Sequence, residues 1–369
     1  MHATVPVFTG ISMSMSWPPE GGDVASWIGN GRARLEILTS AGKRWPVTLG
    51  DADQGSQATW LTSLVSALIG TPKDETTSAT TAAGRVLRFT LGLAEKAALF
   101  AGADKAAIVN NALLSVSPIG ATQLHGLSGA LAAAAARWPE RVVVARGIVA
   151  GREAVKACAA LAGGISLPSR VSYAFDLTAG ELPDKINAER DQALLRKAKL
   201  VRIGHDAFSP ADLAAAHAQY TSVYIGRHGS RNPQLTAHFF ADVHHTRGAE
   251  FFGLKADGEL QAFVALRDHG DFVSVPLIGY RTDADKKAGL YRQIFALALE
   301  IGRERKAVVN FGAGAGHYKK LRGASLAIEY MIIIPTRATM LGRTLHAMLK
   351  ASEEPLDRLV PKAIVHFGG

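Results

Sequence analysis

Between Asn310 and Ala324 the chain reads Asn-Phe-Gly-Ala-Gly-Ala-Gly-His-Tyr-Lys-Lys-Leu-Arg-Gly-Ala. Gly312, Gly314 and Gly316 let the backbone approach a ligand closely. Lys319 follows within reach of a phosphate or a developing oxyanion. Amide formation from a thioester or ester needs an acyl carrier, a neutral amine and a group that stabilises the oxyanion. Carriers such as CoA, acyl carrier protein or tRNA are anionic, so lysines beside a glycine-rich backbone suit them. The plain alternative is a strand-to-helix loop followed by a solvated face at Lys319 and Lys320. The attacking amine must also lose a proton, and Glu250, His317 and Glu329 are candidate bases. Glu329 interrupts the apolar run Ala327-Ile-Glu-Tyr-Met-Ile-Ile-Ile, where a carboxylate is partly desolvated and titrates high if unpaired. An edge position or an arginine partner is the alternative for it.

Two further groups carry possible chemistry. Arg281-Thr-Asp-Ala-Asp-Lys-Lys-Ala-Gly-Leu precedes a long helix, and Lys286, Lys287 and Arg292 there can attract phosphate. A solvated helix start explains them equally well. Tyr220 and Tyr224 lie one helical turn apart, and with Arg227, His228, Arg231 and Asn232-Pro233 they suit an acceptor site. Aromatic residues at helical spacing also simply build cores. His244 and His245 are adjacent, so on a helix they point about 100° apart and do not share a metal. No metal site is predicted. Cys158 is the single cysteine, which excludes an intramolecular disulfide and any cysteine-built cluster.

The elements that must position these groups read as follows. Arg34–Leu38 and Pro46–Leu49 read as strands around Ala41-Gly42-Lys43. Gln57–Leu68 reads as a helix ended by Gly70-Thr71-Pro72, with a Thr/Ser-rich loop over 74–83. Arg85–Leu91, Arg141–Val149 and Ser169–Leu177 read as strands. Leu124–Ala136 and Ala154–Ile165 are Ala-rich and read as helices of a water-soluble fold. A boundary falls at 178–184, followed by a charged helix over 186–200. Ser209 is an N-cap with Pro210 and Asp212 behind it, opening a helix to about Tyr224. Then come a helix over 235–246, strands over 250–255, 260–268 and 272–280, and a turn at Asp257-Gly258. A helix over 283–306, a strand over 307–311, a helical turn over 317–321 and a strand over 328–335 complete the order.

This order, with Pro276-Leu-Ile-Gly-Tyr-Arg281, Gly289-Leu-Tyr-Arg-Gln293 and Tyr318-Lys-x-x-x-Gly323, resembles the GNAT acyltransferases, more narrowly the Fem-type and double-GNAT N-acyltransferases. The resemblance covers about 181–335. It implies an α/β fold of two tandem GNAT-like domains, with a diverged copy at 1–180, an acyltransferase domain at 181–335 and a helical tail at 336–369. It places Lys319, Glu329 and His317 in catalysis. Arg281, Lys286, Lys287, Arg292, Gly312, Gly314 and Gly316 fall at the acyl carrier. Tyr224, Asn232, Tyr280, Tyr291 and Tyr318 fall at the substrate. The chain departs from ordinary GNAT enzymes in lacking the glycine pattern of the pyrophosphate loop before the long helix, which puts standard acetyl-CoA binding in doubt. Replacing Lys319 with Ala is expected to abolish turnover and leave thermal stability near wild type.

Composition narrows the classes. The 369 residues are 48% hydrophobic and 20% charged, which excludes a mainly disordered chain. A net charge of +9 favours anionic partners. No basic-then-apolar leader and no apolar run of roughly 18 residues is present, so a cytoplasmic protein is expected, at most peripheral to a membrane. In the tail, Met340, Leu341, Leu345, Met348 and Leu349 form an apolar stripe with interspersed Arg343 and Lys350. That stripe suits an anionic membrane surface or packing on a partner. The expected function is an N-acyltransferase that joins an acyl group from CoA or acyl carrier protein to an amine, including a lipid-like long-chain base. No prosthetic group is expected. Two alternatives are aminoacyl-tRNA-dependent transfer to a peptidoglycan precursor and an inactive GNAT-like binding module. Only the tRNA reading involves nucleic acid.

Overall fold

The computed structural model describes residues 17–335 and 350–351, except 53, 56, 76–81, 101, 227–228 and 271. The predicted tail helix and the Arg227-His228 pair lie outside the described residues.

Twelve strands form one mixed sheet. In the first half they are β1 (Gly21–Asp23), β2 (Ala33–Ser40), β3 (Lys43–Gly50), β4 (Ala106–Val109), β5 (Val142–Ile148) and β6 (Ile165–Asp176). In the second they are β7 (Val201–Ile203), β8 (Glu250–Ala256), β9 (Glu259–Asp268), β10 (Val273–Tyr280), β11 (Val308–Asn310) and β12 (Ser325–Ile334). The order across the sheet is β1-β2-β3-β4-β5-β12-β6-β11-β10-β9-β8-β7. Advancing each strand number of the first half by six reproduces the second half from the opposite edge. The senses agree as well. β4 runs parallel to β5, β10 runs parallel to β11, and all the other strand pairs are antiparallel.

The centre of this pseudo-symmetric sheet is an exchange. β12 pairs with β5 of the first half, and β6 pairs with β11 of the second. The two exchanged strands pair with each other from Ser325↔Ala174 to Ile333↔Ile165. The interval 178–184 is indeed a loop, yet each half completes its sheet with the other's last strand.

Nine α-helices, besides shorter 3-10 and π turns, occur among the described residues: α1 (Thr71–Glu75), α2 (Ala82–Phe100), α3 (Ala121–Arg137), α4 (Arg152–Leu161), α5 (Ile186–Lys197), α6 (Pro210–Tyr220), α7 (Ala237–His245), α8 (Leu290–Glu304) and α9 (Gly316–Lys320). Strand periodicity divides the core. Phe263 and Ala265 of β9 join Tyr220, Phe239 and Phe240, while Ala262, Val264 and Leu266 join Ile294, Phe295 and Ala298 of α8. Both faces of the strand are therefore covered, as its nearly unbroken apolar sequence requires. Trp17, Trp27 and Ile28 of the first half share the Phe239 cluster, so apolar packing also crosses between the halves.

Most predicted elements are present. Ser209 and Asp212 form a reciprocal cap on α6. Asp257 and Gly258 both take positive φ, as the tight hairpin predicts. Three readings fail. Residues 57–63 are irregular, with a single wide helical turn at Ser66–Gly70. Gly70-Thr71-Pro72 does not end that turn, because Pro72 is tolerated in the first turn of α1. Arg85–Leu91 lies within helix α2, not a strand. The spacing of Val86, Phe89 and Leu93 is helical, and all three are exposed on one face. β4 escaped notice because its Ala-Ala-Ile-Val is short and carries no alternation.

Candidate functional site

β10 and β11 pair only at Val273↔Val309 and Ser274↔Asn310. β10 then bulges between Ser274 and Leu277, where Pro276 has no N–H, and runs on to Tyr280 against β9. β11 ends at Asn310. Among the described residues, Leu277–Tyr280 therefore have a ladder partner on one side only. The strands part and leave an edge of backbone polar groups for a ligand or water to satisfy.

A loop of the first half closes the root of this opening. Ser274 donates to the carbonyl of Val116 at 3.1 Å, and the His269 ring lies 2.8 Å from the Ser274 hydroxyl. Burial, with Arg267 nearby, pulls His269 down to about 3. The imidazole is thus neutral. Val116 packs on Gly312, whose φ of +64° and lack of space (an added Cβ would sit 2.7 Å from Val116 Cγ2) both require glycine.

The glycine run is held firmly. The Gly312 N–H donates to Asn310 Oδ1 at 2.7 Å, and its carbonyl accepts from the N–H of Tyr173 on β6. Lys319, 3% exposed, donates to the carbonyls of Phe311, Gly312 and Ala313 at 3.0, 3.0 and 2.9 Å. Burial, with Arg170 adding repulsion, draws its ammonium down to about 7, while the three carbonyl oxygens favour its charged form. With three carbonyls taking its three N–H donors, Lys319 straps the loop, and the expectation of a lysine free to contact phosphate fails. Gly314 is exposed with φ +77° and open space at its Cα, and Gly316 begins α9. His317 is exposed on the same turn.

The predicted carrier residues divide. Arg292 and Arg322 both donate to buried Asp191 of α5, at 2.5 and 2.6 Å, and Arg281 pairs with Glu259 and Asp283. Structural carboxylates therefore engage Arg281 and Arg292. Lys286 and Lys287 are exposed in the turn before α8, which Gly289 begins with φ +62°.

The predicted tyrosines converge. Tyr224 stacks on Tyr220 at 4.6 Å, Tyr280 lies 5.6 Å from Tyr291, and Tyr291 lies 5.0 Å from Tyr318. Burial drives the Tyr224 hydroxyl far up, helped by Tyr220, Tyr291 and Tyr280, and burial pushes Tyr291 up to about 12. These phenols stay neutral at ordinary pH. Tyr318 donates to Asp191 at 3.1 Å. A groove of about 580 Å³ opens beside Tyr280, lined also by Gln219, Ser222, Leu260 and Arg281. Asn232 donates to the Tyr224 carbonyl at 3.4 Å and accepts from the Trp60 indole at 3.5 Å. It is a bracket between the tyrosines and the first half.

Trp60 leads to a charged cluster on the exchanged strands. Glu329 of β12 is 1% exposed and accepts from Arg170 Nε of β6 at 2.5 Å. Its partner is thus an arginine. Glu250, the other carboxylate candidate, is held by Arg305 at 2.5 Å. Arg146 of β5 donates to the carbonyls of Trp60 and Leu61. The guanidinium groups of Arg146 and Arg170 lie 5.1 and 5.5 Å from the Trp60 ring centroid. Strand irregularities bring them together. The β5–β12 register shifts beside Gly147, whose φ is +72°, and the β6–β12 register shifts at Ser169. Arg146 and Arg170 were missed, although Arg146 stands out in Val-Val-Val-Ala-Arg-Gly-Ile as Glu329 does in β12. Asp191 lay hidden in a helix rich in charges.

The split parallel pair after an antiparallel meander, followed by α8, β11, α9 and β12, defines an acyltransferase-type fold. Residues 185–320 match the family model of the acetyltransferase (GNAT) domain, so the second half carries a GNAT domain. No curated protein matches the chain. The C-terminal domain of a protein described as a lysylphosphatidylglycerol synthetase from Agrobacterium fabrum is similar at 14% identity, covering 62% of this chain and 78% of that one with a TM-score of 0.45. L-PGS from Bacillus licheniformis is similar at 16% identity, with 58% and 74% covered and a TM-score of 0.44. A tandem GNAT protein from the clavulanic acid biosynthesis pathway is similar at 15% identity, with 61% and 74% covered and a TM-score of 0.35. No helix among the described residues is long and apolar enough to cross a membrane. No cluster of metal-ligating side chains occurs among them either.

Proposed function

We propose that the chain is an N-acyltransferase, moving an acyl group from a thioester of CoA or acyl carrier protein to an amine. The observation that carries this reading is the open edge of β10 beyond Pro276, set inside the GNAT domain and walled by Tyr224, Tyr280 and Tyr291. N–H groups on that edge stabilise the oxyanion formed as the amine attacks the thioester carbonyl. The carbon–nitrogen bond forms, the carbon–sulfur bond breaks, and the amine's proton passes to the departing thiolate. A neutral phenol such as Tyr291 is suited to supply a proton to sulfur. Glu329 remains the candidate base, because its Oε1 has no hydrogen-bond partner. Lys319 acts as a positioning residue for the 311–313 carbonyls. Lys286 and Lys287, beside the N-terminal end of α8, attract the carrier's phosphates. A lipid-like acceptor and peripheral contact with a membrane belong to the same proposal, supported by the apolar composition.

The test is thermal stability of the full chain with CoA, palmitoyl-CoA, acyl carrier protein and deacylated tRNA at two salt concentrations. A native-state ligand raises the melting temperature by mass action. A shift with CoA species or acyl carrier protein is expected, and K286A/K287A should weaken it roughly tenfold, about 1.4 kcal/mol. A shift with tRNA alone would replace this donor with an aminoacyl one. No shift with any of them would overturn the reading.

A further inference from the structure

We infer that the seam between the two halves is an anion-binding site, in which Arg146 and Arg170 hold a carboxylate or phosphate of the acceptor amine. This rests on the acyl-transfer reading of the neighbouring cleft and adds the chemical class of the acceptor.

The argument begins with unbalanced charge. Arg146 and Lys319 each lie within electrostatic reach of Arg170 and of Glu329. Among the described residues, the ion pairs of this cluster involve a single carboxylate, Glu329. The two arginines share the Trp60 ring. Lys319 is engaged by three carbonyls and Arg146 by two. Carbonyl oxygens solvate a cation without neutralising it, so Arg146 and Arg170 together leave a surplus of positive charge over the single Glu329 carboxylate. Such a surplus is unfavourable until an anion arrives.

Geometry points the same way. Arg170 uses Nε on Glu329 and has only a long 3.5 Å contact from Nη2 to the Ser115 carbonyl. Its side chain keeps 34% of its surface open to solvent. A guanidinium with an open outer edge, near a second one on the same indole, suits the planar oxygens of a carboxylate or the oxygens of a phosphate. Glu329 Oε1 is a buried acceptor without a partner, which a donor such as the N–H of the acceptor amine, not its acidic group, would satisfy.

The site also lies beside the cleft. Ser115, which meets Arg170 through its carbonyl, reaches the Tyr220 hydroxyl through its side chain. Tyr220 stacks on Tyr224, and Asn232 ties Tyr224 to Trp60. Side-chain contacts therefore link the arginines to the tyrosines beside the open edge of β10. The acceptor is a primary amine bearing an acidic group.

The experiment measures the melting temperature of the full chain against inorganic phosphate and, separately, acetate, with sodium chloride holding ionic strength constant. Wild type, R146M, R146K, R170Q and K286A/K287A are compared. Phosphate or acetate should raise the wild-type midpoint by about 2 °C or more. Which of the two acts tells a phosphate-bearing from a carboxylate-bearing acceptor. The response should vanish in R146M and R170Q, weaken in R146K and persist in K286A/K287A. No response to either anion in wild type overturns the proposal. So does a response that survives R146M, or one that follows Lys286 and Lys287, which would place the anion on the donor. Should R146M not fold, R146K and R170Q decide by the same criterion. Donor binding is read separately: no shift with CoA species, acyl carrier protein or tRNA beside an arginine-dependent anion response would sink the acyl-transfer reading and leave the anion site standing.

Discussion

The two halves follow one strand plan and treat its weakest point oppositely. In the first half β4 pairs with β5 from Ala106↔Val142 to Val109↔Ala145, and Ile119 then bridges Ile148 to seal the gap. In the second, β10 and β11 pair at two positions and part. The closed half supplies a plug, a wall and charge: Val116 at the root of the opening, Trp60 beside it, Arg146 on the seam. The open half supplies the bare strand edge and the tyrosines. A duplicated fold has thus divided its labour. The exchange of β6 and β12 is the physical reason, because it sets residues of both halves on adjacent central strands.

The largest effect should come from undoing that exchange. Residues 1–180 and 181–369 made as separate chains should each lack a cooperative thermal transition by circular dichroism, and mixing them should restore one. A sharp transition in either fragment alone would show that its half closes its own sheet. Next, E329A leaves Arg170 without its buried partner, and such loss costs about 3 kcal/mol or more. Chemical denaturation should show that drop, and R170M/E329M should recover much of it. A melt for E329A equal to wild type would mean that solvent already satisfies the arginine.

K319M should lower stability by about 1–3 kcal/mol, because three carbonyls lose a charged donor. That corrects the expectation that removing Lys319 leaves stability untouched. Unchanged denaturation of K319M would show that the loop needs no strap.

The smallest effect concerns His269, which ties β10 to the plug through Ser274. Its folded value near 3 lies below the ordinary 6.5, so the unfolded chain binds the extra proton between those values. Its contribution is complete above about pH 6.5 and is lost progressively as pH falls toward 3. Stability of wild type minus that of H269Q, measured across this window, should decline with acid. A flat difference would show that the imidazole titrates normally.

Much of the second half was legible in the sequence because its signals are local. Ser209 and Asp212 cap a helix from three residues apart, and Asp257-Gly258 turns a hairpin by itself. Glu329 announced itself as a carboxylate in an apolar strand. The proximity of Tyr280, Tyr291 and Tyr318 had no local signature, since they come from a strand, a helix and a later turn. The carbonyl partners of Lys319 were not legible because local sequence cannot tell a lysine facing solvent from one folded back on carbonyls six to eight residues earlier. The strand predicted at 85–91 failed for the opposite reason: a helix that exposes Val86, Phe89 and Leu93 defies the usual link between apolar residues and burial.

The sequence by itself determined the element order from Ser209 onward, the glycine loop and the excess of positive charge, all properties of neighbouring residues. Only the tertiary structure decided that β6 and β12 change places, that Arg292 serves Asp191, and that Arg146, Arg170 and Glu329 meet. Those pairings join residues 100 or more positions apart, such as Arg292 with Asp191 and Arg170 with Glu329. The register of a long central ladder and the burial of charge choose them, and neither has a local signature.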